Sequence, residues 1–169
     1  MIIKKVAFGN FDEAFIENRL TESVNIIFSN ENNRGKTLLI QGLMYSLGNA
    51  PIFPADFSYQ DYFFYSNIEI ANKVYEFLRK NNTVIVKFSA EKYIFDSISD
   101  LKYFISKNIF PLPKIEKNGM EHIVEPSLFY QIFFIGQDKR NTSNIQNSGQ
   151  YNKNYIHCSR NIIIDTFYS

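Results

Sequence analysis

Residues 24–47 contain the feature that most constrains the fold of this chain: the hydrophobic period changes once, and a Gly-Lys-Thr triplet stands at the change, at residues 35–37. Residues 24–28 are β-branched and aromatic, which predicts a buried strand. Across residues 37–47 the apolar side chains recur at helical spacing, and Gly48 occupies the position of a helix C-terminal glycine. The sequence therefore predicts a strand, a loop and a helix.

This order of elements, with Gly-Lys-Thr between loop and helix, is the context that a phosphate-binding loop requires. The backbone N–H groups of such a loop surround phosphate oxygens, and the helix N-terminus adds unpaired N–H groups and the positive end of its dipole. Lys36 is predicted to reach the β- and γ-phosphates of ATP, and the Thr37 hydroxyl is predicted to ligate Mg²⁺. The residues predicted to bind the nucleotide are Asn30, Asn32, Asn33, Arg34, Gly35, Lys36, Thr37 and Leu38.

The region from residue 26 to residue 47 resembles the N-terminal nucleotide-binding lobe of the SMC/Rad50/SbcC group of ABC-type ATPases. That group has a GxNGxGKS/T loop followed by a helix that reads like TLLEALLYALG, and residues 38–48 here read LLIQGLMYSLG. Two asparagines depart from the glycine pattern, Asn30 at the first glycine of the general phosphate loop and Asn33 at the central glycine of this family. The matching loop positions are Asn32, Gly35, Lys36 and Thr37.

The resemblance implies an α/β fold: a P-loop NTPase N-lobe of the ABC type, with a mixed β-sheet, an antiparallel β-subdomain and a phosphate-loop helix. It implies a lobe over residues 1–142, with a β-hairpin insert at about residues 62–96. It also implies that Gln137, after the apolar residues 132–135, is the glutamine that ligates Mg²⁺ or the attacking water. Residues 143–169 are Asn- and Ser-rich and are interpreted as a tail or as the start of a truncated arm.

Two parts of an ABC-type site are missing at this length, a signature motif and a Walker B strand that ends in Asp-Glu. Residues 147–150 and 162–165 imitate them, but Thr166 stands where the glutamate belongs. We therefore expect an incomplete ATP-binding lobe that needs a C-terminal head lobe or a second head. The resemblance implies coupling of ATP hydrolysis to DNA repair, chromosome maintenance or anti-phage defence, with DNA bound through the assembled complex and a nuclease as a possible partner.

Two other functions fit the same residues. One is a self-contained small P-loop NTPase or kinase in which Asp165 is the Walker B acid. The other is a degenerate, non-catalytic interaction module, in which Asn30 and Asn33 belong to a surface turn that binds no nucleotide and an ordinary amphipathic helix follows. Turnover by the chain alone would favour the first, and absence of nucleotide binding would favour the second.

The composition of the chain excludes several classes of protein. The 169 residues carry a net charge of +1, so overall charge gives no sign of nucleic-acid binding. The lone Cys158 excludes an internal disulfide, and His122 and His157 have no metal-ligand spacing. No segment approaches the roughly 20 apolar residues of a membrane-spanning helix. We expect a cytoplasmic protein without membrane partners.

The remaining pattern predicts mainly strands, because aromatic residues make up 17% of the chain and Asn-rich turns separate the apolar runs. A helix capped by Ser99-Asp100 is predicted after the last strand, and another from Pro126. The predicted strands are 2–8, 15–19, 63–70, 73–79, 83–88 and 92–95.

Overall fold

The computed structural model describes residues 1–28 and 35–131, which form a mixed α/β fold. They divide into two compact units, Met1–Phe104 and a second that begins at Ile105. The described strands are β1 (Ile2–Gly9), β2 (Ala14–Glu17), β3 (Phe63–Ile70), β4 (Lys73–Lys80), β5 (Thr83–Phe88), β6 (Glu91–Phe95), β7 (Lys114–Lys117) and β8 (Met120–Ile123). The described α-helices are α1 (Lys36–Ser46), α2 (Ile98–Asn108) and α3 (Pro126–Gln131), and Tyr59–Asp61 forms a short 3-10 helix.

Six strands of the first unit form one sheet in the order β2-β1-β3-β4-β5-β6, and every described pairing in it is antiparallel. The prediction of antiparallel hairpins from β3 to β6 is confirmed. Two-residue turns join these strands; Ala71 and Asn72, for example, both have positive φ, as a tight hairpin turn requires. The sequence predicts a mixed sheet with these hairpins as an insert, whereas the described hairpins continue the sheet that β1 and β2 begin. Such short links can join only antiparallel neighbours.

The core of the first unit lies on one face of this sheet, which we call the inner face. Side chains alternate between the two faces along a strand, so the buried positions recur every second residue. The phenyl ring of Phe64 is at the centre and contacts the rings of Phe8, Tyr45 and Phe53 at centroid distances of 5.0–6.0 Å. The fully buried strand residues on this face are Val6, Phe64, Ser66, Ile68, Tyr75, Phe77, Val84 and Val86.

Helix α1 packs on the inner face through residues spaced three or four apart, among them Leu39, Gly42 and Leu43. A Cβ on Gly42 would lie 3.1 Å from the ring of Phe64, so glycine permits this close approach. The helix ends as predicted at Gly48, which has φ +104 and donates its N–H to a carbonyl of the last turn.

Helix α2 begins two residues earlier than the cap at Ser99-Asp100 predicts. Ser97 is the capping residue, because its Oγ accepts a 3.1 Å hydrogen bond from the Asp100 N–H. Farther along the helix, the Phe104 ring contacts Tyr93 and Phe95 of β6, on the inner face of the sheet.

The prediction of a buried strand at residues 24–28 is wrong. The segment has no regular secondary structure, and Val24, Ile26 and Phe28 are 86%, 82% and 79% exposed. An apolar run becomes a strand only where it pairs with a neighbouring strand, and none of the described pairings of the sheet includes residues 24–28. The second predicted strand, 15–19, is present as Ala14–Glu17.

The second unit contains a hairpin that the sequence analysis missed, β7 and β8. Half of its strand residues are charged, and the strands show no apolar alternation, although Asn118-Gly119 between them is a strong hairpin signal. Helix α3 begins at Pro126 as predicted, and its Phe129 ring contacts Phe110 at 5.3 Å. Across residues 1–28 and 35–131, no helix has the length and apolar character to cross a membrane.

Candidate phosphate-binding site

Gly35 is the first described residue of the candidate site and the N-cap of α1. Its φ of +77 lies in the left-handed region, and no atom of the described residues would lie within 4 Å of a Cβ there. The left-handed backbone therefore favours glycine at this position. The Gly35 carbonyl accepts the first helical hydrogen bond from the Leu39 N–H at 3.0 Å, so the left-handed residue leads directly into a regular helix.

Lys36 and Thr37 are the first two residues of an 11-residue helix. The Thr37 side chain is exposed, and those of Lys36 and Leu38 are half-buried. Gly35 offers no side-chain oxygen to the first-turn N–H groups, and the first turn contains no acidic residue. The positive end of the helix dipole at this point favours an anion.

Of the predicted site residues, the structure brings Gly35, Lys36, Thr37 and Leu38 together at the start of α1. The remaining predictions fall outside the described residues and stay predictions. They are Asn30, Asn32, Asn33 and Arg34 of the loop, Gln137, and the alternative acid Asp165.

At its other end α1 is held by a buried cation that the sequence analysis did not identify. Arg79 of β4 is 4% exposed, and its Nη1 donates to the carbonyl oxygens of Tyr45 and Asn49, both at 2.7 Å. Its Nε donates to the carbonyl of Asn81 at 2.8 Å. The guanidinium carbon lies 3.7 Å from the centre of the Tyr45 ring. An arginine at an inward-facing position of an alternating strand, two residues after Phe77, is the signal that could have predicted this contact.

Burial lowers the pKa of the Arg79 guanidinium and raises the pKa of the Tyr45 hydroxyl. A buried cation is favourable only where oxygen acceptors surround it, and here carbonyls at the C-terminal end of α1 do so. Because the dipole of α1 is negative at this end, Arg79 stabilises the helix whose opposite end carries Lys36.

Exposed or half-buried apolar side chains occur both in the segment that precedes the candidate loop and in the helix that follows it. The segment 24–28 leads into it with four exposed apolar side chains, and on α1 the side chains of Leu38 and Met44 are only half-buried. A helix with apolar residues all round its surface is typical of one covered on both sides. The described residues of the first unit cover the side that faces the sheet.

The described residues hold no group of three or more His, Cys, Asp or Glu side chains that could bind a metal ion by themselves. His122 lies on the exposed strand β8, in agreement with its interpretation as an ordinary surface residue. Thr37 is thus the one predicted magnesium ligand within the part of the chain that the structure describes. Neither a family model nor a curated protein sequence matches this chain.

Proposed function

We propose that this chain is the ATP-binding N-terminal lobe of an ATPase similar to the SMC/Rad50/SbcC group. The observation that carries the proposal is the geometry at the start of α1, where a left-handed glycine immediately precedes Lys36 and Thr37 at the N-terminus of a regular helix. A phosphate loop needs this backbone, because its N–H groups must turn toward one point as the helix begins. The antiparallel sheet that supports α1 agrees with the β-subdomain expected of such a lobe.

In this proposal each group has a separate role. The loop amides and the helix N-terminus bind the phosphates, and the Lys36 ammonium neutralises charge on the β- and γ-phosphates. Thr37 and Gln137 would hold Mg²⁺, which would supply charge neutralisation for the phosphates. No general base is among the residues assigned to the site, so we expect the chain alone to bind ATP weakly and to hydrolyse it hardly at all.

The exposed apolar surface supports the need for a further lobe. Val24, Ile26 and Phe28 are exposed in a segment that the sequence pattern marks as a buried strand. No described strand pairs with this segment, and strands contributed by a C-terminal lobe would give it hydrogen-bonding partners. A second head would then complete the site, and DNA would be bound through that assembly.

Isothermal titration calorimetry of the full chain with ATP and Mg²⁺ tests the proposal. Lys36→Ala should weaken binding by at least about 10-fold, because a charged hydrogen-bond partner contributes about 1.5–3 kcal/mol. Lys107→Ala is the matched control, since it removes the same charge from an exposed position of α2. Absence of binding heat with the wild-type chain, or equal affinity for Lys36→Ala and wild type, would contradict the proposal.

A second candidate is a non-catalytic interaction module, which the exposed segment 24–28 also favours. Such a module would give no heat with ATP, while its circular dichroism would still show a folded chain. The third possibility, a self-contained NTPase, depends on Asp165. Steady ATP turnover by the purified chain, abolished in Asp165→Ala, would distinguish it from an incomplete lobe.

A further inference from the structure

The face of the sheet opposite α1, which we call the outer face, carries a continuous apolar row. Cross-strand pairing places one residue of each strand in this row, so it crosses all six strands. We call it the apolar stripe. Its members, in order across the sheet, are Ile16, Ala7, Tyr65, Leu78, Ile85 and Ile94.

The next row on the same face is polar and carries excess positive charge. It contains three lysines and one glutamate, and the Lys87 ammonium is 2.9 Å from the Glu76 carboxylate. We call it the lysine row. Its members are Lys5, Asn67, Glu76, Lys87 and Lys92.

A cation also lies on the other side of the stripe. The Lys80 ammonium is 4.4 Å from the centre of the Phe63 ring and 5.9 Å from that of Phe11. The apolar stripe is thus bordered by the lysine row on one side and by a single lysine, Lys80, on the other.

The described elements of the first unit leave the stripe open to solvent. Both α1 and Phe104 of α2 contact the inner face. Ile16 and Ile94, at the two ends of the stripe, are 56% and 66% exposed, and the four residues between them are only half-buried. A contiguous apolar surface with a polar border is typical of an interaction site.

We propose that the apolar stripe is the docking site of an amphipathic helix of a partner protein, with acidic residues on both sides of its apolar face. Five strand spacings of about 4.8 Å give a stripe of about 24 Å, the length of a helix of about 16 residues. Aliphatic side chains of the helix would cover Leu78, Ile85 and Ile94, and its carboxylates would meet Lys92 on one side and Lys80 on the other. This surface is distinct from the start of α1, so the proposal does not depend on nucleotide binding.

The positive charge of the outer face favours an acidic helix as the partner. Lys87 and Lys92 are directly opposite each other on β5 and β6, where like charges repel. Glu76 pairs with Lys87 and offsets part of this repulsion, but the lysine row keeps an excess of positive charge. Acidic groups above them would relieve the repulsion and orient the partner. A second copy of this chain, stacked face to face, would instead bring lysine-bearing flanks against each other.

Nucleic acid fits the stripe less well, because its sequence-tolerant binding needs aromatic rings that are free to stack on bases. Four of the six stripe residues are Ile or Leu. The Tyr65 hydroxyl already donates to Glu76 at 2.9 Å, and a lysine covers the face of Phe63. Phosphates could contact the lysines, but the aliphatic side chains would remain against hydrated backbone.

Fluorescence anisotropy with a designed probe tests the proposal on the full chain. The probe is a fluorescein-labelled amphipathic peptide of about 18 residues, with leucines at helical spacing and glutamates on both sides of them. A second peptide has every glutamate replaced by lysine, and a single-stranded oligothymidylate of about 20 nucleotides represents nucleic acid. We expect the acidic peptide to bind at least about 10-fold more tightly than either of the others.

Two variants locate the binding. Ile94→Asp should lower the affinity for the acidic peptide by about 10-fold, since it places a carboxylate in the stripe. Lys92→Glu should weaken it while leaving the chain at least as resistant to urea as wild type, because it replaces a repulsive cross-strand pair with an attractive one. The matched controls, Ile52→Asp and Lys107→Glu, change exposed residues outside the outer face and should not alter affinity.

Three results would overturn the proposal. The first is equal affinity for the acidic and basic peptides, or unchanged affinity in both Ile94→Asp and Lys92→Glu. The second is tighter binding of the oligothymidylate, which would assign the face to nucleic acid. The third is dimerisation that Ile94→Asp abolishes, which would assign it to a second copy of the chain.

Discussion

Replacement of Arg79 by leucine tests how the buried cation stabilises α1. Leucine places an apolar side chain at this inward-facing strand position. It removes the three hydrogen bonds to carbonyl oxygens and the contact with the Tyr45 ring. The three carbonyl groups differ in the hydrogen bonds that they keep in this variant. That of Tyr45 still accepts the Gly48 N–H at 3.1 Å, and that of Asn81 still accepts the Tyr45 hydroxyl at 3.1 Å.

The Asn49 carbonyl is the one left unsatisfied, because the Arg79 bond is the one described for it and Asn49 is only 5% exposed. An unsatisfied buried carbonyl costs about 1–3 kcal/mol. Loss of the other two charged bonds and of the cation–π contact adds about 2–4 kcal/mol. Removal of a buried cation returns several kcal/mol of desolvation free energy. The free energy of unfolding should thus fall by about 2–3 kcal/mol.

Urea denaturation followed by circular dichroism measures this change. Arg79→Lys is the matched variant: it keeps the charge but not the planar fork of donors, so its loss should be smaller than that of Arg79→Leu but still measurable. A leucine variant as stable as wild type, or more stable, would refute the reasoning. It would mean that desolvation of the guanidinium outweighs its hydrogen bonds.

Three further changes follow from local geometry. Gly42→Ala should lower the free energy of unfolding, measured by urea denaturation, by about 1 kcal/mol. The reason is that overpacking against the enclosed Phe64 ring outweighs the gain in helix propensity. A variant more stable than wild type would show that the ring can move. Gly35→Ala should lower the free energy of unfolding by about 1–2 kcal/mol in the same assay, because alanine is strained in the left-handed backbone conformation of residue 35. Gly35→Asn should lower it less. Equal stability of Gly35→Ala and wild type would contradict the left-handed φ. The side-chain hydrogen bond from Arg19 lowers the pKa of Glu17 to about 2, so its stabilising effect is fully present above the ordinary pKa of 4.5 and is lost as the pH falls toward 2. An NMR titration of the Glu17 carboxyl should show this pKa, and its return to the ordinary range in Arg19→Ala; a normal value in wild type would exclude the pair.

Local patterns in the sequence were sufficient to predict the hairpins and the helix at the candidate site. The strands from Phe63 to Phe95 follow each other through short turns, so alternation and turn residues specify both their bounds and their pairing. Helix α1 is predicted equally well, since its apolar spacing and Gly48 are local signals. The candidate site was predictable to the same extent: Gly35, Lys36 and Thr37 are adjacent in the chain, and their placement needs only the start of one helix.

Contacts between distant residues were not predictable from such patterns. Arg79 and the end of α1 are 30 or more residues apart in sequence, and no local period indicates that a strand arginine will contact helix carbonyls. The hairpin of β7 and β8 was missed for a different reason, because its charged strands carry no apolar alternation although its Asn-Gly turn does give a signal.

By itself, the sequence determined which segments can be strands or helices, because backbone preference and hydrophobic period act over a few residues. Only the tertiary structure decided which of these segments find partners. Residues 24–28 have the composition of a buried strand yet remain exposed, because no described strand pairs with them. In the same way, alternation along each strand predicts two faces, but only the pairing register aligns Ile16 through Ile94 into one stripe. Among the described elements of the first unit, α1 covers the opposite face and leaves this one open.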